Sequence, residues 1–160
     1  MEKENIDTTK EVDGTVARVI VWQNALEVIK ENPVFGVGTG DTKQALMNKY
    51  KEKNISTALE NELNAHNTFL QTYMSIGVFG FLVLVLSLII PAWFAFKQKK
   101  IVYLLFLVLV AFHFLVESML AKQAGVVFYA FFNAVLFYNA FGENKSSSKL
   151  EVRSSSAGSH

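Results

Sequence analysis

The sequence predicts an all-α integral membrane protein in which an external region of amphipathic helices precedes three transmembrane helices. Two observations carry this. Hydrophobic residues make up 51% and aromatics 13% of the 160 residues, more than an average soluble domain carries, and the excess lies within residues 76–142. Charge is also absent from residues 72–96. As a helix the stretch 76–96 rises roughly 31 Å, matching a bilayer hydrocarbon core of about 30 Å. With no cysteine in the chain, disulfides and thiolate chemistry are excluded. The basic residues are scattered among acids or gathered in one turn, so nothing points to a nucleic-acid partner.

Residues 1–16 read as a flexible or cut loop without periodicity. No apolar signal segment occurs there, so carrying a polar first half across a membrane requires preceding helices. The chain therefore reads as the C-terminal part of a longer membrane protein. Residues 17–31 form the first clear helix. At 100° per residue, Arg18, Trp22, Ala25 and Ile29 share one arc, which Val19, Val21, Leu26 and Val28 extend. Gln23, Asn24, Glu27, Lys30 and Glu31 fall on the opposite side. Arg18 thus points toward the buried or membrane-facing side. Two readings stand: its long side chain snorkels to headgroups, or its five fixed donors hold a phosphate-like anion.

Asn32-Pro33 ends the helix, because the residue before proline is pushed out of the α region. The loop that follows spaces Gly36, Gly38 and Gly40 at alternate positions. No strand precedes it and no lysine follows in the P-loop position; a tight turn passing close to a neighbour or a ligand fits better. Residues 41–53 read as a short surface helix, and Thr57-Ala58-Leu59-Glu60 as a capping box. Asn64 is the expected N-cap of a long helix running to Phe96. That puts His66 in the first turn, where the helix dipole disfavours an imidazolium and leaves a neutral ring, the form a general base needs. Residues 17–71 are thus the external region that carries the site.

The spans are expected at about 72–96, 101–117 and 125–142. Lys97, Lys99 and Lys100 form a basic turn that the positive-inside rule places in the cytoplasm, leaving residues 1–75 outside. His113 and Glu117 sit four apart on one expected helix face. Ionisable groups in a span face protein or water; His113 is expected as a buried, hydrogen-bonded ring and Glu117 as a carboxylate near the outer interface. Residues 143–160 read as a disordered cytoplasmic tail whose serine-rich end resembles low complexity or a vector scar.

Four segments in order resemble the O-antigen ligase-like family of polysaccharide ligases and polymerases. They are Arg18-Val19-Ile20-Val21-Trp22-Gln23-Asn24-Ala25-Leu26, then Asn32-Pro33-Val34-Phe35-Gly36-Val37-Gly38-Thr39-Gly40, then Ala65-His66-Asn67-Thr68-Phe69-Leu70-Gln71 with Gly77 and Gly80, then Glu117-Ser118 with Gln123-Ala124-Gly125. The resemblance implies a partial GT-C-like membrane glycosyltransferase, metal-independent and without a cofactor, in the bacterial inner membrane. It would move a glycan from undecaprenyl diphosphate to an acceptor hydroxyl, such as another glycan or a lipid A core, on the periplasmic side. By motif, His66 falls on the general base and Arg18 on the diphosphate binder. Asn67, Gly36, Gly38 and Gly40 are expected to contact substrate, with Glu117 and Trp22 supporting the two central residues. The resemblance covers roughly residues 18–142, whereas family members have around a dozen spans and a further functional arginine upstream. A repeat-unit polymerase and a non-catalytic membrane subunit are the alternatives. In the latter Arg18 would pair with a carboxylate such as Glu117, and His66 would merely cap a helix.

Overall fold

The computed structural model describes residues 14–142, and among them every regular element is helical. The expected tail and most of the expected leading loop lie outside the described residues. Six helices follow in order: α1 (Gly14–Glu31), α2 (Thr42–Glu52), α3 (Ser56–Glu60), α4 (Thr68–Lys97), α5 (Ile101–Val116) and α6 (Gln123–Phe141), with one 3-10 turn (Met119–Ala121) before α6. Helix α1 begins at Gly14, so residues 14–16 are helical and not loop.

The molecule has two cores stacked along α4. The first joins α1, α2 and α3 to the start of α4 through Val21, Ala25, Val28, Leu46, Tyr50, Ala58 and Met74. Helix α2 is therefore not a plain surface helix, since it buries Thr42, Leu46, Met47 and Tyr50. Their i, i+4, i+5, i+8 spacing makes one face. Its outer side is tied to α1 by Lys53–Glu27 at 2.6 Å and Lys49–Glu31 at 2.7 Å, surface pairs that orient the helix and add little to stability.

The second core is the α4–α5 hairpin. Tyr103, Leu107, Val110 and Phe114 are buried on α5, a four-three-four spacing that lays one stripe against Leu84, Leu88 and Ala95 of α4. Helix α6 joins this layer through a hydrogen bond from Tyr103 Oη to Asn133 Oδ1, 2.8 Å, while burying none of its own residues. Helices α4 and α6 are long and apolar enough to cross a membrane; α5, in the place of an expected span, is apolar but shorter. At its lysine-bearing end α4 sets Lys97 Nζ 4.8 Å from the Trp93 ring, a cation–aromatic pairing suited to a membrane interface.

Helix α4 is not the uninterrupted rod that a charge-free run implies. Gly77 has φ 67° and ψ −162°, a backbone region essentially confined to glycine, and the helix breaks there. The chain after α1 fills the break. Val37 N–H donates to Met74 O at 2.8 Å, Gly38 N–H to Ser75 O at 2.9 Å, and Val78 N–H to Pro33 O at 3.0 Å. Carbonyls and an amide that a continuous helix would have paired internally are thus satisfied by the loop. The approach is close on both sides. A Cβ on Gly36 would lie 2.5 Å from Met74 O, and one on Gly77 would collide with the Val34 carbonyl.

Candidate functional site

Asn67, and not Asn64, caps α4: its Oδ1 accepts the Leu70 N–H at 3.1 Å. Asn64 instead accepts the His66 N–H at 2.9 Å and closes a turn. His66 consequently stands just before the helix, outside the first turn in which it was expected, so the dipole argument for its protonation state does not apply. Its φ is +40°, left-handed backbone that non-glycine residues rarely adopt. Strain of this kind persists where the surroundings over-determine it.

Those surroundings come from the segment after α5. Asn67 N–H donates to Ser118 Oγ at 3.1 Å. Thr68 Oγ1 donates to the Glu117 carbonyl at 2.7 Å and accepts the Met119 N–H at 3.0 Å. Helix α5 stops at Val116 and Glu117 is extended, with φ −145° and ψ 145°. Glu117 therefore leaves the face it was expected to share with His113 and turns toward the start of α4. Its Oε2 lies 3.3 Å from His66 Nδ1, and its Oε1 lies 3.9 Å from Lys122 Nζ. His113 is exposed, contrary to the buried ring expected of it, and makes no side-chain hydrogen bond among the described residues.

The electrostatics follow from these contacts. Burial alone would raise the Glu117 pKa. The His66 hydrogen bond, the charges of His66 and Lys122 and the Ser118 backbone N–H outweigh it, so the carboxyl sits below its ordinary value. An ionised carboxylate only accepts, so the proton of this hydrogen bond lies on His66 Nδ1, and in the neutral ring the acceptor lone pair is on Nε2. Because the folded-state value is the lower one, the stabilisation from this pair is complete above the unfolded-state value and is lost as pH falls through the lowered one. Thermal unfolding in detergent between neutral pH and pH 3 should show that acid loss, and Glu117→Gln should flatten it. An identical acid limb in the variant would remove the pair from the account.

Helix α1 meets the site through Trp22, whose Nε1–H donates to Ala65 O at 2.9 Å, the carbonyl just before His66. Arg18 is one helical turn from Trp22, on the same side. It is exposed and forms no ion pair or hydrogen bond among the described residues, so it is not paired with Glu117. The buried stripe of α1 is Val21, Asn24, Ala25, Val28 and Ile29, centred to one side of Arg18 and not on it. Asn24 was expected on the polar side; it is buried, its Nδ2 donating to Ile20 O within the helix at 2.7 Å while its Oδ1 has no hydrogen-bond partner among the described residues.

The remaining expected substrate contacts are placed differently. Gly36 N–H is engaged by Asn32 O at 3.1 Å and Gly38 N–H by Ser75 O, so neither is a free donor for a diphosphate. Gly40 is exposed. The Asn67 side chain is committed to the cap in a residue only 6% exposed. Thr68 and Ser118, which hold the two segments together, were not singled out by sequence reasoning; hydroxyls flanking the histidine and the glutamate were the available signal. Two shallow apolar grooves lie on α6, lined among others by Val127 and Phe131 and by Val135 and Tyr138, away from His66. No cluster of metal-ligating side chains occurs among the described residues.

These features define a helical membrane protein with a polar site at the mouth of an apolar hairpin. The chain belongs to the O-antigen ligase family, whose profile matches residues 2–85, just over half of its length. That family comprises membrane proteins of the glycosyltransferase-like ligase and polymerase type. The matched residues contain Arg18, the glycine loop and His66, and they stop before Glu117. An uncharacterised protein of Haemophilus influenzae is 29% identical over 148 residues, a match covering 86% of this chain and 35% of that protein. The chain thus spans about a third of that relative's length. No solved structure matches.

Proposed function

We propose that this chain carries the acid–base site of an inverting, metal-independent glycosyltransferase of GT-C-like architecture. α4, α5 and α6 serve as three spans of a bacterial inner membrane protein, and residues 14–75 face the periplasm. The observation that supports this best is the His66–Glu117 pair, 3.3 Å apart at the end of the hairpin remote from the lysine turn, with Nε2 left open. The donor is a glycan on undecaprenyl diphosphate and the acceptor a hydroxyl of another glycan or of a lipid A core. His66 Nε2 takes the acceptor hydroxyl's proton as its oxygen bonds to the anomeric carbon. The bond from that carbon to the diphosphate oxygen breaks, and the electron pair leaves with the lipid diphosphate. Glu117 stabilises the imidazolium, which then returns its proton to water.

Arg18 binds the departing diphosphate, where an oriented guanidinium is worth most because charge accumulates there in the transition state. The test is product analysis in cells expressing the intact parent protein. Arg18→Ala should lower transfer by about 10²–10³-fold, and Arg18→Lys should recover only part of it, since an ammonium lacks the bidentate fork. Undiminished transfer in Arg18→Ala, with insertion verified, would overturn the assignment. Labelled acceptor identifies a ligase; a lengthened ladder of repeat units identifies the polymerase alternative.

A further inference from the structure

We propose that the Pro33-Val34-Phe35 turn is a wedge inserted among lipid acyl chains at the outer boundary of the bilayer. The inference rests on α4 as a span with its lysine turn inside. Depth comes first. The bonds from Val37 to Met74, from Gly38 to Ser75 and from Val78 to Pro33 hold this turn level with residues 74–78 of α4. Counting back from Lys97, about twenty residues at 1.5 Å each give a rise of about 30 Å and arrive at Gly77. The turn is therefore held where hydrocarbon begins.

Its chemistry suits that depth. No charged residue occurs between Glu31 and Asp41. Phe35 is 81% exposed and Val34 44% exposed, beside Ile76 at 44% and Phe79 at 61% on α4. The apolar tip is thus continuous with the lipid-facing side of the span, and in water such a tip would be left bare. Non-helical backbone enters hydrocarbon only where its polar groups are satisfied by protein. Here Pro33 has no N–H, its carbonyl accepts from Val78, and the amides of Gly36, Val37 and Gly38 are engaged. This leaves the Val34 and Phe35 amides without a backbone partner among the described residues and keeps the tip at the polar boundary of the hydrocarbon and not deep within it. Gly36 against residues 74–76 and Gly77 against Val34-Phe35 let the two backbones approach closely, and the three hydrogen bonds hold the turn there. The occupant of this surface is the acyl region of ordinary bilayer phospholipid.

The chain has no cysteine, so single cysteines report cleanly. Phe35→Cys, Val83→Cys on the exposed mid-span face of α4 and Lys51→Cys on exposed α2 are spin-labelled in the full chain. Each is reconstituted in phosphatidylethanolamine–phosphatidylglycerol vesicles. Collision rates are then measured with oxygen, which concentrates in hydrocarbon, and with a water-soluble nickel chelate. The expected oxygen-to-nickel ratio at position 35 is several-fold above that at position 51 and approaches that at position 83. A ratio at 35 equal to that at 51 overturns the wedge alone, provided position 83 reports hydrocarbon. Low collision with both reagents at 35 also overturns it, because the turn is then covered by protein. If position 83 itself reports water, α4 is not a span and the wedge falls with that reading.

Discussion

His66→Ala should reduce glycan transfer by about 10²–10⁴-fold, the usual contribution of a positioned general base, while leaving membrane insertion unchanged. The position favours a clean result, because the imidazole's only hydrogen bond among the described residues is to Glu117. Its backbone is held independently, by Asn64 on its own N–H and by Trp22 on the preceding carbonyl. Removing the ring therefore takes away the base without dismantling the clamp. Glu117→Gln should cost less, since the ring remains. In the double variant the glutamine should add almost nothing to the alanine, the signature of two groups acting through one proton. Transfer is measured in cells together with surface labelling of the external region. Full transfer in His66→Ala with normal insertion would leave the histidine as a turn residue only.

Gly77→Ala should be a severely damaging substitution, destabilising the chain by about 2–6 kcal/mol. Left-handed strain accounts for about 1–3 kcal/mol and overpacking for a similar amount. The added Cβ has no route of escape, since it meets the Val34 carbonyl and the Phe35 amide nitrogen, which are backbone and cannot rotate away. Gly80→Ala is the internal control. There the Cβ would meet Ile76 Cδ1 and Cγ1, which another rotamer carries away, leaving only Ile76 Cβ at 3.1 Å, a contact relieved by a shift of a few tenths of an ångström. Folded yield in detergent and thermal unfolding should separate the two variants, with Gly77→Ala lost or sharply lowered and Gly80→Ala close to the parent. Equal behaviour would mean that the loop does not sit in the break of α4.

The apolar helices were legible because a bilayer demands length and absence of charge, both of which are properties of sequence alone. The break at Gly77 was not. A lone glycine in an apolar run is usually tolerated within a helix, and only the arrival of residues 33–38 from another part of the chain stabilises the rupture. Asn64 was the expected cap, but Asn67, a residue of the same type three positions on, caps α4 while its own N–H is held by Ser118 Oγ. Asn24 lies on the buried side with its Nδ2 bonded to an i−4 carbonyl and its Oδ1 unpaired among the described residues, an arrangement that a wheel of hydrophobicities does not contain. His66 and Arg18 stood out as residue types in unusual company. The partnership of His66 with Glu117 required knowing that α5 ends one residue before the carboxylate.

The bonds that join residues 67–68 to 117–119 span separations of 49 to 51 positions, and the intervening chain is the α4–α5 hairpin. Loop-closure entropy over such a length is substantial for a free chain, but it is already discharged once two apolar helices lie antiparallel. The polar cluster therefore depends on the hairpin for its assembly. A chain stalled with one helix inserted has His66 and Glu117 on separate, unconnected segments. The proposed acid–base chemistry thus waits on a finished hairpin, because the pair it needs is brought together only there.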